Sequence, residues 1–445
     1  MRKISSLVLA LLAGTTAGVA QANTYVVTKT TDTFDGSCDS DCSLREQAAN
    51  SHRGPDNIRL AAGVYTLTTP TPQPDFDRVD EDDNVLGDLD IKDDLSIVGP
   101  YGGSTIIDGG RLDRVMEVFP GVIFTANNLT ITHGVSSEWG GALYNAGTTT
   151  LTNTVITGNQ AASGLNNNRG GGIANIGTLV LDHCRISFNA VSNGETGQGI
   201  GGGIYNSGTL TVRRSTISSN TASDDNDDGN GAGLYNTGSA FVMQSLFTGN
   251  FLRSGVSSGN AAVSNAGLLE MSNTTSSGNL STENNGGVVG NIGGTLKLSF
   301  VTIADNSGGG LRNTGTLALS GTLIAGNSSF TNDGNERNFY SGSNCVNTGS
   351  ITTKNSLLGL DGSCTAQLYV DNGTVFTTLL EPLRLGGGVT ETHKLRAGSA
   401  AVDAINPFSA AGACEAIDQR SARRPPNEDG RRGQYCDIGA YELRQ

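Results

Sequence analysis

A short motif that ends in asparagine recurs along the middle of the chain. One copy reads Gly-Gly-Gly-Ile-Tyr-Asn and ends at Asn206, and the copies that end at Asn145, Asn175 and Asn236 differ from it at one or two positions. Weaker copies end at positions 265, 291 and 313. A second asparagine follows 14 residues after the first in six copies and 15 residues after it in the other. The distance onward to the next copy varies from 7 to 17 residues, so each repeat joins a fixed part to a variable loop.

Apolar side chains alternate with polar ones inside the fixed part. The fourth and sixth residues after the motif asparagine are apolar in most copies, as in Leu179 and Leu181 or Leu210 and Val212. This period of two is typical of short strands with one buried face, and the lack of amphipathic helical stretches between them argues against strand, helix, strand units. A unit of 21 to 31 residues cannot bury its apolar face alone, so it must stack on copies of itself.

The architecture that fits this pattern is an all-β, right-handed parallel β-helix, a pectin-lyase-like solenoid. Equivalent positions of successive coils would then lie about 4.8 Å apart in ladders. Aliphatic residues would form stacks, the asparagines would form amide ladders, and the 63 glycines would supply the positive φ that tight turns require. One predicted ladder contains Asn145, Asn175, Asn206 and Asn236, and the other contains Asn159, Asn189, Asn220 and Asn250.

The two ends of such a solenoid need protection. Each end exposes an unpaired strand, which would template aggregation. We therefore predict an N-terminal cap with the first strands over residues 23–92, β-helix repeats over 93–339, and the last coils with a C-terminal cap over 340–445. Both terminal regions carry cysteine pairs that fit this role.

Seven cysteines divide into three near-neighbour pairs and one remainder. In oxidising surroundings disulfides are the default for the pairs, whereas zinc is the competing interpretation for the first pair, although no His or Cys lies close enough to complete four ligands. Cys184 falls where other copies have Thr154 or Ser215, which predicts a buried, unreactive thiol rather than a redox or intermolecular one. The predicted disulfides are Cys38 with Cys42, Cys345 with Cys364, and Cys414 with Cys436.

The N-terminus has the features of a signal peptide. Arg2 and Lys3 give a positive start, residues 4–13 form an apolar run, and Ala20 and Ala22 mark a small-residue cleavage site. A retained membrane anchor is the competing interpretation, but it needs about 18 apolar residues. We therefore expect removal of residues 1–22, secretion or cell-surface location, and a mature chain without a membrane span.

The net charge limits the kinds of molecule that this protein can bind. The chain has 28 Lys and Arg against 42 Asp and Glu, which gives a net charge of −14. Such a surface repels nucleic acid and anionic membranes. We therefore expect no nucleic-acid partner.

The segment 42–50 reads Cys-Ser-Leu-Arg-Glu-Gln-Ala-Ala-Asn and resembles the CSLREA domain, a short element that precedes β-helices in secreted bacterial proteins. Gln47 departs from the usual alanine of that domain. The Gly-Gly repeats are similar to those of polymorphic outer-membrane-protein β-helices. Residues 392–395, 418–420 and 436–442 resemble the choice-of-anchor Q domain. These resemblances imply a β-helix outside the cytoplasm and carry no agreed chemistry.

Acidic residues suggest one candidate cation site. Asp224, Asn226 and Asp228 stand at alternate positions before Gly229, as in the first half of a calcium loop. Tyr235 occupies the place of the closing glutamate, so a solvated charged loop is the competing interpretation. The acidic stretch 75–94 likewise either attracts a divalent cation or stays hydrated. Calcium is thus a weak cofactor candidate.

Aromatic and basic residues suggest contacts with glycans. Tyr144, Tyr205 and Tyr235 occupy the same motif position and could form an exposed aromatic row on which sugars stack. Arg420, Arg423, Arg424, Arg431 and Arg432 could hold an anionic glycan, or could belong to a salt-bridged cap. The four histidines show no catalytic or metal-binding spacing.

These patterns favour a passive surface or extracellular binding protein of the adhesin type. Glycans are its candidate ligands, and the variable loops are its expected contact surface. A polysaccharide lyase or glycoside hydrolase on the same fold is the first alternative. It comes second because no column of carboxylates runs from repeat to repeat. A structural spacer is the other alternative.

Overall fold

The computed structural model describes residues 24–50, 56–70, 82–137, 139–163, 168–193, 199–224, 229–253, 259–281, 287–332, 337–341, 343–407, 414–425 and 435–443. The predicted signal peptide, residues 1–22, lies outside these ranges. Among the described residues, no helix combines the length and apolar character needed to cross a bilayer.

The chain winds through the same short strands in every coil. Each strand pairs in parallel with its equivalents in the neighbouring coils, so that Asn145 lies opposite Asn175 and Asn175 lies opposite Asn206. The predicted parallel β-helix is therefore confirmed. One coil contains Leu143–Asn145 in sheet C, Thr148–Thr152 in sheet A, Val155–Thr157 in sheet B and Gln160–Ser163 in sheet D.

Sheets C and A contain the motif strand and the strand that follows it. The ten strands of sheet C are Leu89–Ile91, Met116–Val118, Leu143–Asn145, Ile173–Asn175, Ile204–Asn206, Leu234–Asn236, Val263–Asn265, Val289–Asn291, Leu311–Asn313 and Cys345–Asn347. The twelve strands of sheet A are Thr24–Val26, Asp56–Arg59, Leu95–Val98, Ile123–Asn127, Thr148–Thr152, Thr178–Asp182, Thr209–Arg213, Ser239–Met243, Leu268–Ser272, Thr295–Ser299, Thr316–Ser320 and Ser350–Lys354.

Sheet B continues each coil, and sheet D adds a fourth strand in six of the coils. The twelve strands of sheet B are Gly63–Thr66, Thr105–Asp108, Thr130–Thr132, Val155–Thr157, Arg185–Ser187, Thr216–Ser218, Leu246–Thr248, Thr275–Ser277, Thr302–Ala304, Leu323–Ile324, Leu357–Gly359 and Leu368–Val370. The six strands of sheet D are Val135–Ser136, Gln160–Ser163, Ala190–Asn193, Thr221–Asp224, Phe251–Arg253 and Leu280–Ser281.

The remaining elements decorate this helix. An α-helix spans Leu44–Ala49, a 3-10 turn spans Asn372–Thr374, and a π-helical turn spans Val375–Leu379. The strand pairs outside the main sheets are Asn168–Arg169 with Gly199–Ile200, Ser328–Asn332 with Arg337–Ser341, and Leu380–Leu385 with Glu391–Leu395. The last pair forms an antiparallel hairpin whose turn, residues 386–390, we call the hairpin tip.

Alternation of apolar and polar residues fills the interior of the coils. In the strand Thr178–Asp182, Leu179 and Leu181 are fully buried whereas Thr178 is exposed. Burying one such aliphatic side chain contributes about 1.5–3 kcal/mol. Because every coil adds its own aliphatic residues to the same columns, stacking supplies the core that one coil lacks.

Two ladders of buried asparagine side chains run through the interior. Asn145 Nδ2 donates to Asn175 Oδ1 at 2.6 Å, and Asn159 Nδ2 donates to Asn189 Oδ1 at 2.9 Å. The four predicted members of each ladder are bonded in this way, and each ladder has four further members. The first ladder contains Asn145, Asn175, Asn206, Asn236, Asn265, Asn291, Asn313 and Asn347. The second contains Asn159, Asn189, Asn220, Asn250, Asn279, Asn306, Asn327 and Asn344.

The α-helix Leu44–Ala49 packs against the first coils. Ser43 and Glu46 form a capping box at its N-terminus, and Leu44 is buried in the core. The guanidinium of Arg45, fully buried, pairs with Asp32 at 2.8 Å and donates to the carbonyl oxygen of Gly87 at 2.7 Å. The segment that resembles the CSLREA domain therefore ties the N-terminal chain to the start of sheet C.

The C-terminal region does more than close the end of the helix. Residues 343–370 complete the last coils. Residues 375–407, 414–425 and 435–443, which we call the C-terminal segment, pack along the outer face of sheet B. Gln419 Oε1 accepts from Thr275 Oγ1 at 2.7 Å, and the amide of Ala440 donates to Thr302 Oγ1 at 2.9 Å. The predicted C-terminal cap stays a prediction, and these contacts show that the described part of this region also covers the side of the helix. The C-terminal segment buries an apolar stretch of the outer face of sheet B, which would otherwise be exposed to solvent. This stretch includes Ala304, Leu323, Ala325 and Leu357.

The three predicted disulfides are present. Cys38 bonds to Cys42, Cys345 to Cys364 and Cys414 to Cys436. Cys184 is free and buried, and its amide donates to Ser215 Oγ at 2.9 Å in a ladder of small side chains. Burial raises the pKa of its thiol to about 12, which agrees with the predicted unreactive cysteine.

Candidate functional site

A cleft of about 500 Å³ opens on the outer face of sheet B, beside the hairpin tip. Its floor comes from successive coils of the helix, and its wall comes from the hairpin. Thr390, at the tip, is fixed in place because its Oγ1 donates to the carbonyl oxygen of Gln244 and accepts from Gln419 Nε2 at 2.9 Å. The lining residues are Asn153, Val155, His183, Cys184, Arg185, Arg214, Thr216, Ser218, Leu246, Thr248, Val389, Thr390 and Glu391.

The strand period decides which side chains reach the cleft. Each sheet B strand here has three residues, and the middle one, such as Ile186 or Ile217, is fully buried in the core. The first and third residues therefore point outward. In the coil of Ile186 these are Arg185 and Ser187, and the next coil supplies Thr216 and Ser218.

Basic side chains cluster at the edge of the cleft around one carboxylate. Arg214 binds Asp182 in a bidentate manner, with Nη2 to Oδ2 at 2.7 Å and Nε to Oδ1 at 3.1 Å. His183 Nδ1 lies 2.9 Å from Asp182 Oδ1, and Arg213 lies 3.5 Å from Oδ2. Partial burial would raise the pKa of Asp182, but the hydrogen bonds and charge of Arg214 outweigh it and hold the pKa below its usual value. Asp182 thus stays ionised and neutralises one cation.

Arg185 differs from these neighbours. It is exposed and, among the described residues, forms no ion pair. Its guanidinium therefore presents donors in a planar fork to whatever occupies the cleft, a geometry that suits carboxylate or sulfate groups.

Hydroxyl groups line the floor beside Arg185. Thr216, Ser218 and Thr248 belong to adjacent coils. Ser218 is only 5% exposed, and its Oγ has no hydrogen-bond partner among the described residues. A buried hydroxyl without a partner is costly, so this position gains from a ligand that bonds to it.

Carboxylates are sparse in the lining. Glu391 is the one acidic side chain among the lining residues of the cleft. Hydrolysis of a glycosidic bond ordinarily uses a pair of carboxyl groups on either side of the bond. The lining residues of the cleft contain no such pair.

No family model matches the chain, and no curated protein matches it. A crystal structure of a pectate lyase aligns with a TM-score of 0.44 and 15% identity, over 96% of this chain and 98% of that chain. A rhamnogalacturonan lyase aligns with a TM-score of 0.23 and 13% identity, over 78% of this chain and 84% of that chain. Similarity at this level carries no functional information.

The predicted aromatic row on sheet C forms, but it is not an open surface. Tyr205 and Tyr235 stack with ring centroids 6.1 Å apart, and Trp139 lies 5.7 Å from Tyr205. Arg169 covers Tyr205, with its guanidinium 5.0 Å from the ring, and Tyr205 is only 5% exposed. The expectation of an exposed row is therefore wrong, because Trp139 and Arg169 come from outside the motif and pack over it. Tyr144 joins the same cluster through Trp139.

The predicted calcium loop lies mostly outside the described residues. Asn226 and Asp228 fall there, and Asp224 is described only as the last residue of the strand Thr221–Asp224. Among the described residues, no group of three or more His, Cys, Asp or Glu could hold a metal ion. The variable loops expected as the contact surface, residues 160–169, 190–200 and 221–230, are described only at their ends, which are strands of the coils. Residues 164–167, 194–198 and 225–228 lie outside the described part of the chain.

Arg420 and Arg424 fit the salt-bridged interpretation, whereas Arg423 is exposed and forms no ion pair with the described residues. Arg424 is buried, binds Glu442 Oε2 at 2.8 Å and lies over the ring of Phe300. Arg420 binds Asp418 at 2.5 Å. Both residues hold the C-terminal segment in shape, whereas Arg431 and Arg432 fall outside the described residues.

The residues of the cleft lie outside the repeated motif, so the motif gives no signal for them. Arg185 follows its motif asparagine, Asn175, by ten residues, and Arg214 follows Asn206 by eight. Comparison of outward-facing positions across repeats would have placed His183 and Arg214 side by side. The hairpin residues that form the wall of the cleft do not belong to a repeat, so no comparison between repeats could identify them.

Proposed function

We propose that this protein is an exported β-helix that binds a polysaccharide bearing carboxylate or sulfate groups along the outer face of sheet B. The observation that carries the proposal is Arg185, an exposed guanidinium in a cleft of about 500 Å³. In a chain of net charge −14, a cationic side chain held in a cleft marks a place where an anion is favoured over the rest of the surface.

The shape of the site suits a linear ligand. Equivalent side chains repeat along the helix axis at about 4.8 Å, the spacing of neighbouring strands. A polymer that lies along this axis would meet a new outward pair of side chains at every coil. Hydroxyl groups of the ligand would bond with Thr216, Ser218 and Thr248, and its anionic group with Arg185.

The proposed binding surface ends at the hairpin tip. Val389, Thr390 and Glu391 form the wall of the cleft, and beyond them the C-terminal segment covers sheet B. A bound polymer would therefore extend from the hairpin tip toward the N-terminal coils, where the outer face carries Thr157 and Thr132. Export of the chain is part of the same proposal and rests on residues 1–22 and on the three disulfides.

Binding assays with the full mature chain test this function. We expect polygalacturonate, which carries carboxylates, or heparin, which also carries sulfates, to bind, and neutral dextran to bind far more weakly. Arg185→Gln should weaken binding about tenfold, because a hydrogen bond to a charged group is lost. Arg59→Gln is the matched control, since Arg59 is exposed on the distant first coils of sheet A.

Two outcomes would contradict the proposal. Equal binding of the neutral and anionic polymers would remove the role assigned to Arg185, and absence of binding to any of them would remove the function itself. Shortening of the polymers during the assay would instead place the protein among polysaccharide-cleaving enzymes.

A further inference from the structure

Phe188 is a large apolar side chain at the surface of the coil that carries Arg185. It is 60% exposed and stands at the corner where the chain leaves sheet B for sheet D. Its φ is +55°, in the left-handed region that bulky residues rarely adopt. Neither property helps the protein to fold.

The same corner in other coils shows what folding alone prefers. Gly158, Gly249 and Gly278 occupy it with φ of +69°, +63° and +67°. Glycine adopts this conformation without steric cost. Polar residues occupy the corner in other coils, as Ser219 does at +54°. Phe188 thus combines a strained backbone with an apolar ring in water, a combination that clusters at functional sites.

The neighbouring corners leave room around the ring. Gly158, one coil before, has no side chain, and Ser219, one coil after, has a small one. The coils are in register there, since the amide of Phe188 donates to the carbonyl oxygen of Ser218 at 3.3 Å and the amide of Gly158 donates to that of Ser187 at 3.3 Å. The two adjacent corners therefore carry no large side chain of their own, which agrees with the 60% exposure of Phe188.

We infer that Phe188 is a stacking platform for one sugar ring of the polysaccharide whose anionic group binds Arg185. A pyranose ring has an apolar face of C–H groups and a polar edge. The aromatic ring would cover the apolar face, while Arg185, three residues earlier and outward on the same coil, would bind an acidic substituent at the edge. The inference rests on the proposed function and adds the residue that selects ring-bearing, acidic sugars over simple anions.

A ligand-binding role and a structural role for Phe188 predict opposite effects of removing its ring on thermal stability. If the ring packed against the protein, its removal would destabilise the fold. If it serves only a ligand, Phe188→Gly should leave thermal stability unchanged or raise it, because glycine relieves the positive φ. Removal of the ring should at the same time weaken polysaccharide binding.

The experiment compares Phe188→Gly with Ser219→Gly in the full mature chain. Ser219→Gly relieves the same backbone conformation one coil away without removing an aromatic ring, so it is the matched control. We expect both variants to melt at or above the wild-type temperature. Binding of polygalacturonate or heparin should weaken about fivefold in Phe188→Gly, stay unchanged in Ser219→Gly, and be retained in Phe188→Trp.

Three results would overturn the inference. If Phe188→Gly binds like wild type while Arg185→Gln does not, the platform is absent and the proposed function stands. If Phe188→Gly melts at a lower temperature than wild type, the ring has a structural role. If the wild type binds none of the polysaccharides, the proposed function fails and the inference fails with it.

Discussion

Ser277 and His393, 116 residues apart in the chain, are joined by a contact of 2.8 Å between Oγ and Nε2. The other ring nitrogen, Nδ1, lies 2.8 Å from the carbonyl oxygen of Glu381. A carbonyl oxygen can only accept, so Nδ1 carries the hydrogen and Nε2 of the neutral ring accepts from the Ser277 hydroxyl. This buried histidine thus fastens the C-terminal segment to sheet B.

Stability should therefore depend on the protonation of His393. Burial lowers its pKa below the ordinary value of 6.5, although the carbonyl of Glu381 and the charge of Asp305 oppose the shift. The folded state disfavours the proton, so this contribution is complete above pH 6.5 and is lost as the pH falls. As the pH falls below about 6.5, wild type should lose stability relative to His393→Gln by at most about 1.4 kcal/mol per pH unit, as measured by urea unfolding.

The comparison with the variant is essential because other groups titrate with the opposite sign. Burial raises the pKa of Glu442 to about 7 and also raises the pKa of Asp305, so the folded state takes up their protons more readily than the unfolded chain. Acidification stabilises the fold through these groups. The difference between wild type and variant cancels the contribution of Glu442, and parallel pH profiles would show that His393 does not titrate.

The repeated part of the fold could be predicted because each coil carries the same local information. Asn145 and Asn175 recur at matched positions, and in a solenoid matched positions are spatial neighbours. The contacts of Arg45 could not be predicted in the same way, since its partners Asp32 and Gly87 lie outside the repeats and far from it in sequence.

The cleft was hidden for a similar reason. Its floor comes from the repeats, but its wall comes from the hairpin tip, and Thr390 reaches Gln244 across 146 residues. No periodic signal encodes a contact between a repeat and a unique segment. The prediction of an exposed row of tyrosines was wrong for the same reason, because Arg169, which covers Tyr205, lies outside the repeated motif.

Cys184 should be inert in the folded protein and replaceable by serine. Burial raises the pKa of its thiol to about 12, and the residue is only 4% exposed, so a thiol reagent at pH 8 should label it only after unfolding. In the same column Ser215 Oγ donates to the carbonyl oxygen of Arg213 at 2.7 Å, a bond that Cys184→Ser could make to Asp182. The variant should keep its unfolding free energy within about 1 kcal/mol. Rapid labelling of the native protein would contradict this assignment.

Removal of a middle rung of the first asparagine ladder should cost far more than removal of the last. Asn206 accepts from Asn175 at 2.6 Å and donates to Asn236 at 2.7 Å, and all three residues are fully buried. Asn206→Ala leaves the buried Asn236 Oδ1 without its donor, whereas Asn175 Nδ2 keeps its bonds to the carbonyl oxygens of Gly177 and Thr209. The expected loss in the unfolding free energy is therefore about 1–3 kcal/mol, measured by urea denaturation.

Asn347 is the matched control for this ladder. It is the last rung, accepts from Asn313 at 2.6 Å, and donates only to Gly349 within its own turn. Asn347→Ala should leave no ladder acceptor without a donor, because Asn347 is the last rung and Asn313 Nδ2 keeps its bonds to the carbonyl oxygens of Gly315 and Ser350. Its loss should be at most about half of that of Asn206→Ala. Equal losses would mean that the ladder does not act rung by rung and that stability depends on the turns alone.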